Sequence, residues 1–171
     1  METIVSAGII GIGLGAQYAL LSLGFTLIYG ILGVINFAHG GFYMVGGYVA
    51  YAVVHHLGWP YPVAVVAATL FTAAFGYVFE LLIIERYVDD HLTTMMLTMG
   101  LYLIIGTAIV VTFGSEPVEF RFPVSGSLRS GGIYVPYANL LVLAACLAAI
   151  AAVYVLLYKT GLGRALRALA D

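Results

Sequence analysis

Residues 4–31 read IVSAGIIGIGLGAQYALLSLGFTLIYGI, a run with no Asp, Glu, Lys, Arg or His anywhere in it. A membrane-spanning helix needs about 20 consecutive, mostly apolar residues, and this run exceeds that length. It follows Met1-Glu2-Thr3, an acidic start where a secretory signal peptide needs a basic one. It also runs well past the length of a signal-peptide core, so it reads as a retained membrane helix.

Outward from this run the same pattern recurs. Apolar segments extend from about Phe37 to Val54, Val63 to Ile84, Leu92 to Phe113 and Ala138 to Tyr158. The expected fold is therefore all-α, a polytopic transmembrane bundle of about five spanning segments. The whole of residues 1–171 is expected to form one transmembrane domain. Composition agrees: of 171 residues, 63% are hydrophobic and 8% charged, with a mean hydropathy of +1.09. Soluble domains carry about 25% charged residues, so most of the outer surface of this chain must face lipid.

Several functions are excluded at this level. A net charge of −2 offers no basic face for nucleic acid. The single cysteine, Cys146, rules out a disulfide within the chain and the cysteine-based zinc patterns. No GxxxxGK[ST] pattern occurs, so ATP is not bound through a P-loop. No paired carboxylates, catalytic triad or metal set falls within the spans, so no catalytic residue, cofactor or metal is assigned.

Between the first two segments lies Leu32-Gly33-Val34-Ile35-Asn36, with no charge to mark a loop. It is either a tight turn at the membrane surface or an interrupted helix inside the bilayer. Gly33, Gly40 and Gly41, with Gly30, supply the backbone freedom for such a break. The densest polar cluster follows at once: Asn36-Phe37-Ala38-His39-Gly40-Gly41-Phe42-Tyr43-Met44. Asn36 and His39 are three apart and would share one helical face. Polar groups at membrane depth need partners and are functional candidates by default. Two roles stand open for them, lining a translocation path and bonding the carbonyls freed by the break.

A second stripe, Gln17, Tyr18, Ser22 and Thr26, lies on the first segment, with 18, 22 and 26 recurring every four residues. It reads equally as one wall of a path or as a set of interhelical hydrogen bonds. Gly11 and Gly15 form a GxxxG pair. Gly46 with Ala50, and Thr72 with Gly76, form small-xxx-small pairs of the kind that let membrane helices pack closely. Glu80 sits about a turn inside the third segment's end, either pairing with a basic group or reaching the interface.

The loop 55–62 carries Pro60 and Pro62, which end helices, and Trp59 and Tyr61, which suit the headgroup layer. Residues 85–91 form a charged loop. Residues 114–136 are rich in Gly, Ser and Pro, with room for a short strand or hairpin. Lys159, Arg164 and Arg167 follow the last segment and place the C-terminus in the cytoplasm. Counting back over five spans puts Arg86 inside and Met1 outside.

Taken together, these stretches resemble the permease subunits of the branched-chain amino-acid ABC importers, most closely the first of their two permeases. The resemblance is carried by Tyr18 to Gly30, by Gly33-Val34-Ile35-Asn36-Phe37-Ala38-His39-Gly40, by Glu85-Arg86, by Leu97-Thr98-Met99-Gly100-Leu101 and by Gly163 to Ala168. It implies residence in a bacterial or archaeal cytoplasmic membrane. It also implies an assembly with two ABC ATPase subunits, a second permease subunit and an extracytoplasmic solute-binding protein. The solutes would be branched-chain amino acids or, alternatively, urea or short amides, with ATP hydrolysed on the separate subunits. Gly163, Arg164 and Arg167 would open the loop that docks on the ATPase. A passive channel or carrier, or a membrane scaffold, are the competing classes. Three departures accompany the likeness. Family members are longer, Gly41 stands where they usually have Glu, and the loop at 87–91 lacks their basic segment.

Overall fold

The computed structural model describes residues 2–87, 90–118, 124, 126–130 and 133–170. It contains α1 (Glu2–Leu32), α2 (His39–His55) and α3 (Tyr61–Phe79). A π-helical turn, Glu80–Ile84, carries α3 without interruption into α4 (Glu85–Tyr87). Then come α5 (His91–Phe113), a hairpin of β1 (Ser127–Ser130) and β2 (Ile133–Pro136), α6 (Tyr137–Lys159) and α7 (Gly161–Ala170). The all-α membrane bundle is as the sequence implies.

Among the described residues, four helical stretches are long and apolar enough to cross a membrane: Ile4–Ile31, Tyr61–Tyr87, His91–Phe113 and Tyr137–Lys159. The segment expected at Phe37 to Val54 is shorter than these. α2 has 17 residues, about 25 Å at 1.5 Å per residue, against a hydrocarbon layer of about 30 Å. Its ends are set locally. Asn36 and Gly33 hold the chain out of helix before it, and Gly58, at φ +66°, and Pro60 follow it. The charged loop at 85–91 is mostly helical end; its residues 88 and 89 lie outside the described residues. Glu80 falls in the π turn, where the Glu85 N–H donates to the Glu80 carbonyl five residues back.

The helices group into two compact units. In the unit Leu32–Arg121, α2 packs against both α3 and α5. The small residues noted above mark the first of these contacts. A Cβ on Gly46 would lie 3.4 Å from Thr72 Oγ1, and one on Gly76 would lie 3.9 Å from the Phe42 ring. Phe42 meets Phe75 and Phe79 edge-on, at 5.7 and 6.1 Å between ring centres. At the far end of α2, Tyr48 and Tyr51 lean on Phe113, at 4.7 and 6.0 Å. Where apolar side chains gain little by meeting each other, such close backbone approach and aromatic geometry supply the attraction.

The unit Met1–Ile31 with Phe122–Asp171 holds α1, the hairpin, α6 and α7. β1 and β2 pair antiparallel, Ser127 opposite Pro136 and Leu128 opposite Val135. The hairpin thus takes up part of the 114–136 loop. It is tied to α1 by a hydrogen bond from the Tyr134 N–H to Ser6 Oγ, 3.0 Å. Gly126, at φ +123°, would place a Cβ 3.2 Å from the Tyr137 ring, so a side chain there would be strained and would press on that ring. The GxxxG pair of α1 meets no described helix of this chain. A Cβ on Gly11 or Gly15 would meet no described atom within 4 Å, whereas one on Gly13, on the opposite face, would lie 3.8 Å from the Asn139 carbonyl.

Candidate functional site

The site begins where α1 stops. Gly33 takes a left-handed conformation, φ +66°, which ends a helix at no steric cost to glycine. Three residues on, Asn36 folds its side chain onto its own backbone. Its Oδ1 accepts the Ala38 N–H at 2.9 Å, and its carbonyl accepts the His39 N–H at 3.3 Å. Such turns compete with helix, which is why α2 starts only at His39. Asn36 and His39 therefore do not share a helical face. Asn36 builds the turn, bonding amides and, among the described hydrogen bonds, no carbonyl by its side chain, and His39 opens the helix.

The turn is fastened to α5. The Phe37 N–H donates to Thr98 Oγ1 at 3.2 Å, and the Thr98 hydroxyl donates in turn to the Met95 carbonyl at 3.0 Å. Val34, Ala38 and Thr98 are fully or almost fully buried around this bond. One turn earlier on α5, the buried Thr94 hydroxyl lies 2.7 Å from the Tyr87 carbonyl and 3.0 Å from that of Asp90. Asp90 caps α5, accepting from the Thr93 N–H (3.1 Å) and hydroxyl (2.6 Å). These bonds, the hydroxyl's first, hold its carboxyl below the usual carboxylate range.

The contact continues upward through glycine. A Cβ on Gly40 would lie 3.8 Å from the Tyr102 ring, and one on Gly41 only 3.0 Å from Ile105 Cδ1 and 3.6 Å from Tyr102. Gly40 and Gly41 are thus helical residues of α2, and only Gly33 among the three expected break glycines takes a non-helical conformation. Gly41 is buried and lets α2 come close to α5 at Ile105. A larger residue would have to displace Ile105.

Thr94, Thr98, Tyr102 and Ile105 form one stripe of α5, spaced four, four and three, and it is this stripe that receives the break. Thr98 lies in a stretch that carried the resemblance, but none of the four was singled out as a site residue, although hydroxyls four apart in an apolar span were a usable signal. Also unforeseen is a recess of about 530 Å³ beside α2, lined by Tyr43, Tyr48, Tyr51 and Tyr61 together with Pro117 and Val118. Phe37, at the break, leaves half its side chain exposed.

The second expected stripe lies in the other unit. Tyr18, Ser22 and Thr26 share an exposed face of α1 with Gly11 and Gly15, and Gln17 is half-buried off that face. The Thr26 hydroxyl donates to the Ser22 carbonyl at 2.8 Å, so part of this stripe satisfies itself. At the C-terminal end Arg164 is exposed. Arg167 lies over the Tyr158 ring, 5.1 Å from its centre, and its Nε–H donates to the Gly163 carbonyl at 3.3 Å.

Residues 9–171 match the family model described as branched-chain amino acid transport system / permease component. The chain is 28% identical over 178 residues to the high-affinity branched-chain amino acid transport system permease protein BraD of Pseudomonas aeruginosa, covering 94% of this chain and 57% of that protein. It is 32% identical over 117 residues to the LivH permease protein of the same description from Escherichia coli K12, covering 63% of this chain and 38% of LivH. It therefore spans about half the length of the curated relatives it matches, or less. No solved structure matches the chain.

Proposed function

The chain belongs to the permease component family of branched-chain amino acid transport systems, and from that premise we propose that it builds part of the solute path of an ATP-driven importer. The observation that carries this reading is the Phe37–Thr98 bond. It fastens a non-helical segment to a neighbouring span at the N-terminal end of α2, the helix whose side borders a recess lined by four tyrosines. Irregular backbone at membrane depth persists only where protein or a lined cavity satisfies it.

In this reading the solute is a branched-chain amino acid, with urea or a short amide as the family alternative. A separate binding protein delivers it from outside. Two ATPase subunits drive the cycle, and a second permease completes the path. The C-terminus is cytoplasmic, supported by Lys159, Arg164 and Arg167 around the end of α6. With α2 counted as a span the N-terminus lies outside. Arg164, exposed on an amphipathic helix, is the contact offered to the ATPase, and Gly163 lets that helix fold back on α6.

The test is uptake of labelled leucine by cells that lack their own importer and express this permease with its ATPase, second permease and binding protein. Uptake should need both ATP and the binding protein, and Arg164→Glu should reduce ATPase co-purification. Uptake persisting without the ATPase would replace this reading with a passive channel. Uptake of urea in place of leucine would move it to the amide class.

A further inference from the structure

The junction of α6 and α7 is held by more contacts than a simple linker needs. Thr160 ends α6, its hydroxyl accepting the Gly163 N–H at 3.2 Å as an N-terminal cap for α7. Gly163 is buried directly against the Leu156 and Leu157 carbonyls, where a Cβ would collide with the backbone. The chain then turns Arg167 back toward α6. Its guanidinium covers the Tyr158 ring at 5.1 Å, and that ring is itself braced one turn earlier by Tyr154 at 4.8 Å. The same side chain reaches the Gly163 carbonyl through Nε. The Gly163 packing and the Arg167–Tyr158 contact join α7 to the last turns of α6.

We propose that Arg167 is a positioning residue that latches α7 to the end of α6 through Tyr158, so that the two helices move as one body and Arg164 stays exposed to meet a partner. A cation over an aromatic face is attracted by the ring quadrupole. Arg167 and Arg164, three apart in the sequence and alike in charge, therefore have different tasks. The purpose of the latch rests on α7 being the docking element; its existence does not, and the test reads geometry within this chain alone.

The experiment measures a spin-label distance between positions 147 on α6 and 168 on α7 in lipid nanodiscs, with Cys146→Ala to remove the native thiol. Leu147 and Ala168 are both exposed, so labels there leave the packing alone. The native junction should give one narrow distance. Arg167→Gln and Tyr158→Leu should each lose it to a broad distribution, and the pair together should broaden it no further. Tyr158→Phe, which keeps the ring, should stay narrow, and Gly163→Ala should shift the mean. A narrow, unshifted distance in Arg167→Gln and Tyr158→Leu would overturn the latch. So would a Tyr158→Phe variant as broad as Tyr158→Leu, since the ring face would then not be what holds the arginine.

Discussion

The backbone N–H of Phe37 and the hydroxyl of Thr98, 61 residues apart in the chain, meet at 3.2 Å and join a break between helices to the buried face of α5. The amide has left the helical ladder and has no partner in its own segment among the described hydrogen bonds. In lipid, such a group costs several kcal/mol if left unpaired. Thr98 therefore fixes where the break lies.

Thr98→Val keeps the shape and removes the acceptor. It should destabilise the folded chain by about 1–3 kcal/mol and speed amide exchange at Phe37, while Thr98→Ser stays near native. Thermal unfolding in detergent and hydrogen exchange read this. The same substitution at Thr72 should carry no such cost. Thr72 Oγ1 is buried between α2 and α3 and makes no hydrogen bond among the described residues, so Thr72→Val should leave stability unchanged or raise it. Equal losses at the two positions would break the distinction.

At Gly41 the constraint is space. Gly41→Ala places a methyl 3.0 Å from Ile105 Cδ1, and overpacking of this kind costs about 1–3 kcal/mol. Ile105→Val in the same chain should recover part of the loss. The midpoints of the single and double variants, compared as a cycle, decide it: simple additivity means that the two side chains do not press on each other.

Gly33 tests backbone and not packing. Its φ of +66° costs an L-residue about 1–2 kcal/mol. Gly33→Ala should lower the unfolding midpoint and Gly33→Asn should lower it less, because Asn tolerates this region. An Ala variant as stable as the native chain would mean that the break takes another conformation.

Asp90 makes the α5 cap sensitive to pH. Its pKa is lowered by the Thr93 hydroxyl and N–H, so the folded state favours the charged carboxylate. The stabilisation is complete above the ordinary Asp pKa of about 3.9 and is lost as pH falls through the lowered folded value. Amide exchange at Thr93 should accelerate over that acid range in the native chain. Asp90→Asn, which still caps but does not titrate, should show no such step.

The spans were legible because about 20 apolar residues in sequence have few other uses, and the break was legible from Gly33 and Asn36. Four features were harder to read. That Asn36 bonds an amide and not a carbonyl depends on side-chain rotation, which residue spacing does not encode. That Gly41 packs where Gly33 turns depends on what stands opposite, and Ile105 is far away in sequence. The shortness of α2 follows from its turn chemistry at both ends, which apolar content alone overestimates. Arg164 and Arg167 looked equivalent because Tyr158 precedes the glycine turn that brings it under Arg167.

The most direct test of the central claim is thiol accessibility at the break. Phe37→Cys and His39→Cys, in a Cys146→Ala background, are labelled with a membrane-impermeant maleimide in the assembled importer, with Leu147→Cys as a lipid-facing control. Residues beside a water-filled solute path should label readily, and saturating leucine should slow the reaction at 37 and 39 but not at 147. Labelling at 37 and 39 as slow as at 147, and indifferent to leucine, would contradict a solute path at this break.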